Sequence, residues 1–203
     1  MSINKDESIN FDLEKTSLEF LDKHDSNLKL AFQQADYRKA LYHIEQSLKM
    51  ASASLRLKIS RAECLAFLAR YQEAQEVAND ILRNDSTNIE AIYIRGLCLY
   101  YEDILDKALS HFQQVLKLAP DHAKAKEAFK RARQLKAKKE EGNEAFKANQ
   151  FDEAFKLYTE ALLTDRENKG TNAKLYFNRA TVAAKVNKIM RIRRIRVGIN
   201  HKN

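Results

Sequence analysis

An Ala-centred signature returns along this chain every 34 residues. Tyr37-Arg-Lys-Ala40 is echoed by Tyr71-Gln-Glu-Ala74 and by Leu105-Asp-Lys-Ala108. The next copy, Phe151-Asp-Glu-Ala154, comes 46 residues after Ala108, one period plus an insertion of 12. Each Ala is followed eight residues later by Leu48, Leu82, Leu116 or Leu162. Twelve residues before the Ala stands a small residue in three copies: Ala62, Gly96 and Gly142. Lys174-Leu-Tyr-Phe-Asn-Arg-Ala180 opens a fifth copy. A unit of this length cannot bury its apolar face alone, so copies must stack on their neighbours. Only four Gly and one Pro occur in 203 residues. So few breakers suit long helices and argue against a many-turned sandwich or barrel.

The pattern resembles the tetratricopeptide repeat over roughly residues 24–186. The resemblance implies an all-α solenoid of antiparallel helix pairs wound into a right-handed superhelix, with a groove lined mainly by the first helix of each pair. Small residues at repeat positions eight and twenty lie where the helices touch. Expected helices are 18–34, 37–50, 55–68, 71–84, 89–102, 105–118, 122–148, 151–165 and 172–186. Thr87-Asn-Ile-Glu90 reads as a capping box, Pro120-Asp121 as a helix boundary, and Gly170 as a loop residue before the fifth unit. The insertion holds no Gly or Pro between Asp121 and Glu141, so it should lengthen one helix. Four segments follow: a lead-in at 1–20, three repeats plus the extending helix at 21–134, one and a half repeats at 135–185, and a basic, disordered tail at 186–203.

Charge narrows the function classes once it is localised. The chain carries a net +8, but residues 185–203 hold seven Lys or Arg and no acid, so the remainder is close to neutral. The tail, with Ile189-Met-Arg-Ile-Arg-Arg-Ile-Arg-Val197, leaves open a nucleic-acid or anionic-membrane contact or a nuclear import signal. No apolar run approaches the roughly 20 residues that span a bilayer, so the expected location is the cytoplasm, with the nucleus left open as a second place. Cys64 and Cys98 stand 34 apart at equivalent positions and read as small core residues. His24, His43, His111, His122 and His201 form no catalytic or metal spacing, and there is no Gly-rich phosphate loop. A non-catalytic chain without cofactor or metal is expected.

Chaperone-binding members of the family hold a C-terminal Glu-Glu-Val-Asp tail in a carboxylate clamp. The clamp takes a Lys and an Asn from one first helix, an Asn from the next, and a Lys and an Arg from a third. Ammonium and guanidinium groups neutralise the paired carboxylates, and Asn amides donate to them. Lys138-Lys139-Glu-Glu-Gly-Asn143 matches the opening motif, and Tyr176-Phe-Asn178-Arg179 matches the second unit. The resemblance therefore implies Lys139, Asn143 and Asn178 as peptide-carboxylate-binding residues. The third unit's cations have no counterpart before the repeat register ends near Lys185, which predicts weakened affinity. In the first three units Leu28-Lys29, Ser60 and Ile94 replace the clamp residues, so their groove should not hold a double carboxylate.

The blocks Ala62-Glu-Cys-Leu-Ala66, Arg95-Gly-Leu-Cys-Leu-Tyr-Tyr-Glu-Asp103, Ala119-Pro-Asp-His122 and Thr171-Asn-Ala-Lys-Leu-Tyr176 resemble the tetratricopeptide co-chaperones of the DnaJ family. The resemblance implies an adaptor that assists protein folding. Its partners would be heat-shock protein 70, heat-shock protein 90 and client proteins, with nucleic acid and membrane not expected. No His-Pro-Asp triplet occurs, so the chain reads as a truncated form without a J domain. A generic peptide scaffold, or nucleic-acid binding by the tail, is the alternative.

Overall fold

A computed structural model describes residues 3–200, with side chains described at Lys15 and over 18–191. These residues form α1 Ile3–Gln33, α2 Tyr37–Met50, α3 Leu55–Phe67, α4 Tyr71–Asn84, α5 Ile89–Tyr101, α6 Leu105–Leu118, α7 Ala123–Lys147, α8 Phe151–Thr164 and α9 Lys169–Asn200. No strand occurs among the described residues. The chain packs as two compact units, one ending at Cys98 and the other starting at Leu99, inside α5. In the first, α1 packs on α2, α2 on α3, and α3 on α4. In the second, α6, α7, α8 and α9 pack in sequence. The boundary expected at 134/135 falls inside α7, one uninterrupted helix that carries the 12-residue insertion.

The residues that set the period are core residues. Ala40, Ala74, Ala108 and Ala154 are all fully buried, as are Ala62 and Cys64. Their second-helix neighbours Ile44, Ala78, Phe112 and Tyr158 are buried with them. Gly142 shows why the position before them must be small. A Cβ there would lie 2.7 Å from the Tyr158 ring, well inside van der Waals contact.

Four turns close the helix pairs in the same way, and the sequence does not announce them. Ala35, Ala69, Asp103 and Asn149 all take left-handed backbone, with φ of 53°, 60°, 63° and 61°. Beside each, the next residue donates its N–H back to the carbonyl five residues earlier. These bonds run Asp36 to Ala31, Arg70 to Leu65, Ile104 to Leu99 and Gln150 to Ala145, each at 2.9 Å. This is the Schellman arrangement, in which glycine usually fills the left-handed position. Here none of the four is glycine.

Local chemistry moves three expected boundaries. The cap of α5 is Asn88, whose Oδ1 accepts the Ala91 N–H at 3.1 Å, and not Thr87. The Thr87 N–H and hydroxyl are both taken by Asp85 Oδ1. Asn168 caps α9 through the Thr171 N–H at 3.0 Å, so Gly170 lies in the first helical turn rather than in a loop. At the other end, α9 continues past Val186 to Asn200, where a disordered tail is expected. No proline interrupts that stretch, and Val186, Ile189 and Met190 line a groove with Asn149 and Gln150 of the α7–α8 turn and Phe151, Asp152 and Glu153 at the start of α8.

Candidate functional site

The second unit brings the sequence-singled residues to two different places. Asn143, on α7, and Asn178, on α9, meet: Asn178 Nδ2 donates to Asn143 Oδ1 at 3.3 Å. The same Oδ1 accepts the Tyr158 hydroxyl at 2.8 Å. Around this pair lies a pocket of about 350 Å³ lined by Asn143, Phe146, Lys147, Tyr158, Phe177, Asn178 and Thr181. Phe177 stands 72% exposed at its edge. Burial pushes the Tyr158 hydroxyl above its usual range, against a smaller opposing effect of Asn178, so it stays a neutral donor.

Geometry then fixes what the pocket offers a ligand. The Asn143 carbonyl oxygen already takes two donors, so the amide N–H₂ is the part of that side chain left to offer. Among the described lining residues Lys147 is the one charged group. The lining thus combines N–H donors and a cation with Phe146 and Phe177 rings, which suits an acceptor-rich anion beside an apolar group.

Lys139 is elsewhere. Its Nζ lies 2.7 Å from both oxygens of Asp103, in the turn between α5 and α6. Asp103 also takes Lys174 Nζ at 2.7 Å and the Thr171 hydroxyl at 2.8 Å. Its side chain is only 2% exposed. Burial alone would raise this carboxyl, but the bonds from Lys139, Lys174 and Thr171 outweigh it and hold it below the ordinary carboxylate range.

A docking seam surrounds that cluster. The Tyr100 hydroxyl donates to Asp165 Oδ2 at 2.9 Å, and Asn168 Nδ2 donates to the Tyr100 carbonyl at 2.9 Å. Arg131 reaches the same Asp165 oxygen at 3.3 Å. Burial, then the Asp165 charge, pushes the Tyr100 hydroxyl well above its usual range. Gly170 lies so close to the Tyr101 carbonyl that a Cβ would sit 2.2 Å from the oxygen. The α8–α9 loop is therefore fastened onto the end of α5.

Arg179 also leaves the pocket. Its guanidinium lies over the Phe155 and Tyr176 rings, at 5.3 and 5.4 Å from their centroids. Phe146, Lys147, Tyr158, Phe177 and Thr181 are the lining residues that sequence reasoning missed. Lys147 was legible, since Lys139, Asn143 and Lys147 succeed one another at four-residue spacing on one helix face. Tyr158 was not, because nothing in its spacing marks it as a partner of Asn143.

Residues 89–122 match the family model of the tetratricopeptide repeat. The crystal structure of the P58(IPK) tetratricopeptide domain superposes with a TM-score of 0.58 over 96% of this chain and 54% of that one, at 21% identity. The helix pairs, their turns and this match agree. The chain is a tetratricopeptide-repeat protein. At that identity the structural likeness speaks for the fold alone. In sequence, this tetratricopeptide-repeat protein is similar to DnaJ homolog subfamily C member 7 of Homo sapiens, 55% identical over 78% of this chain and 32% of that protein. A homolog of the same protein in Dictyostelium discoideum is 34% identical over 87% of this chain and 33% of its own length. The repeat protein thus spans about a third of the curated relatives it matches. Among its described residues, no helix is long and apolar enough to cross a membrane.

Proposed function

We propose that this chain is a non-catalytic co-chaperone adaptor whose second unit receives the C-terminal peptides of heat-shock protein 70 and heat-shock protein 90. The observation that carries the reading is the committed carbonyl of Asn143. With Tyr158 and Asn178 both donating to it, the pocket has N–H groups to give and a carboxylate to accept. Phe146 and Phe177 beside the amides suit the Val of a Glu-Glu-Val-Asp end. Similarity to a DnaJ homolog supports the co-chaperone role, with client proteins as further partners and the cytoplasm as its place of action. Asn143 and Asn178 are the binding residues of this proposal, while Lys139 serves the Asp103 cluster.

The test is a titration of a labelled peptide ending in Glu-Glu-Val-Asp into the full chain, read by fluorescence anisotropy. Asn143→Asp is the informative variant. It keeps an acceptor for Tyr158 and Asn178 while replacing the N–H₂ with a second oxygen. Loss of a charge-assisted bond costs about 1.5–3 kcal/mol, so affinity should fall at least ~10-fold. Binding that ignores both this substitution and amidation of the peptide's C-terminus rejects the reading and leaves a scaffold for some other ligand.

A further inference from the structure

Two helices run far beyond their packing partners. α1 has 31 residues, whereas α2, which packs on it, has 14. The excess amounts to about 25 Å of helix at 1.5 Å per residue. α9 passes the start of α8 at Met190, which lines a groove with Phe151. It then runs on to Asn200, about 15 Å further. A single helix with no neighbour is marginal in water, yet both overhangs carry apolar residues. Ile9, Phe11 and Leu13 belong to the first, and Ile192, Ile195 and Val197 to the second. Near where the overhangs begin, Leu18 is 61% exposed and Met190 47%.

The overhangs are of opposite charge. Residues 1–22 hold six acids against two lysines, a net of −4. Residues 185–203 hold seven Lys or Arg and no acid. At the start of that stretch Lys185, Lys188 and Arg191 are all exposed. Two acidic overhangs repel each other, as do two basic ones, so the attractive pairing is acidic with basic. This disfavours a symmetric dimer built from like overhangs and favours a head-to-tail contact.

We propose that the acidic start of α1 in one copy docks along the basic end of α9 in a second copy, so that the chain associates head to tail. Opposite charges bring the two segments together and set the polarity of the contact. The apolar residues of both then leave water against each other. The contact uses neither Asn143 nor Asn178, so it stands or falls independently of the peptide-binding reading. Each copy has one overhang of each kind, and a bound pair therefore still presents one free acidic and one free basic segment. Such a heterologous contact continues into longer assemblies or closes into a ring.

Sedimentation velocity of the full chain, from micromolar to sub-millimolar concentration, tests this. The unaltered chain should associate as concentration rises, about 10-fold more weakly in about 500 mM salt than in about 50 mM. Two charge-reversed variants carry the decision. The acidic set is Asp6→Lys, Glu7→Lys, Asp12→Lys and Glu14→Lys. The basic set is Arg191→Glu, Arg193→Glu, Arg194→Glu and Arg196→Glu. Either set alone should leave a monomer with its helicity intact by circular dichroism. Mixing the two variants, or combining both sets in one chain, should restore association. A monomer at every concentration overturns the proposal, as does association that survives either set or a loss that the combination fails to repair. Compaction of a lone copy without association places the pairing within one chain and also overturns it. Association that disappears on nuclease treatment assigns the basic end to nucleic acid and does the same.

Discussion

Lys139 of α7 and Asp103 of the α5–α6 turn, 36 residues apart in sequence, form a two-pronged ion pair with both oxygens at 2.7 Å. Lys174 joins them from α9. The pair links three parts of the second unit through one buried carboxylate. Lys139→Ala should cost about 1–3 kcal/mol of stability, less than a fully orphaned buried charge because Lys174 remains. Urea unfolding of the second unit measures this. Asp103→Asn should cost a similar amount at neutral pH.

The pH dependence of the two units should differ. The Asp103 carboxyl is held below the ordinary range in the folded state. Its contribution is therefore complete above the unfolded value, about 3.9, and lost as pH falls through the lower folded value. His43 in the first unit is nearly buried, with its Nδ1 2.9 Å from that of His24. Burial first, then the His24 and Lys39 charges, lowers its pKa. Protonation then opposes folding, so stability falls as pH drops below the unfolded histidine value near 6.5. Thermal melts from pH 8 to pH 3 should show the first unit losing stability from about pH 6.5 and the second below about pH 4. His43→Gln should remove the earlier loss.

Gly170→Ala should be among the most damaging single-methyl additions in the second unit. The added Cβ would sit 2.2 Å from the Tyr101 carbonyl oxygen, and both partners are backbone. Relieving the overlap means lifting the α8–α9 loop off Tyr100 and Asp103. A cost of about 2–3 kcal/mol is expected, at the upper end of ordinary overpacking, with faster amide exchange around Asn168 and Thr171 as the local signature.

Glycine should help at Ala35 and Ala69. Both hold left-handed backbone, at φ 53° and 60°, where a Cβ crowds the carbonyl oxygen by roughly 1–2 kcal/mol. Glycine removes that strain at some entropic cost. Ala69→Gly should raise stability by about 0.5–1 kcal/mol, a few degrees in melting temperature. A fall would show that the turn geometry is not the left-handed one.

Cys64 should be silent toward thiol reagents while the first unit is folded. It is fully buried, and burial, with a smaller effect of the Glu63 charge, pushes its thiol up to about 12. Reaction needs the thiolate, so labelling at pH 8 should be slow without denaturant and track unfolding with it.

Much of this was legible in the sequence because one period governs it. Ala40, Ala74, Ala108 and Ala154 set the register, and the helix bounds follow within a few residues except at the two ends. The left-handed turns were hidden because Ala35 and Ala69 carry no turn signature. Asn143 and Asn178 come together as the family motif implies, but Lys139 does not join them. Its partner Asp103 comes from the preceding repeat, on the other side of the 12-residue insertion in α7. No local pattern encodes a contact that depends on where a lengthened helix delivers its side chains.

The most direct measurement is a two-dimensional amide spectrum of the labelled full chain, titrated with the Glu-Glu-Val-Asp peptide. The side-chain N–H₂ resonances of Asn143 and Asn178 should shift in step with saturation, together with the backbone amides of Lys147 and Phe177. Shifts confined to residues before Cys98 or to the basic end of α9, with the two asparagine amides unmoved, would contradict the proposed pocket.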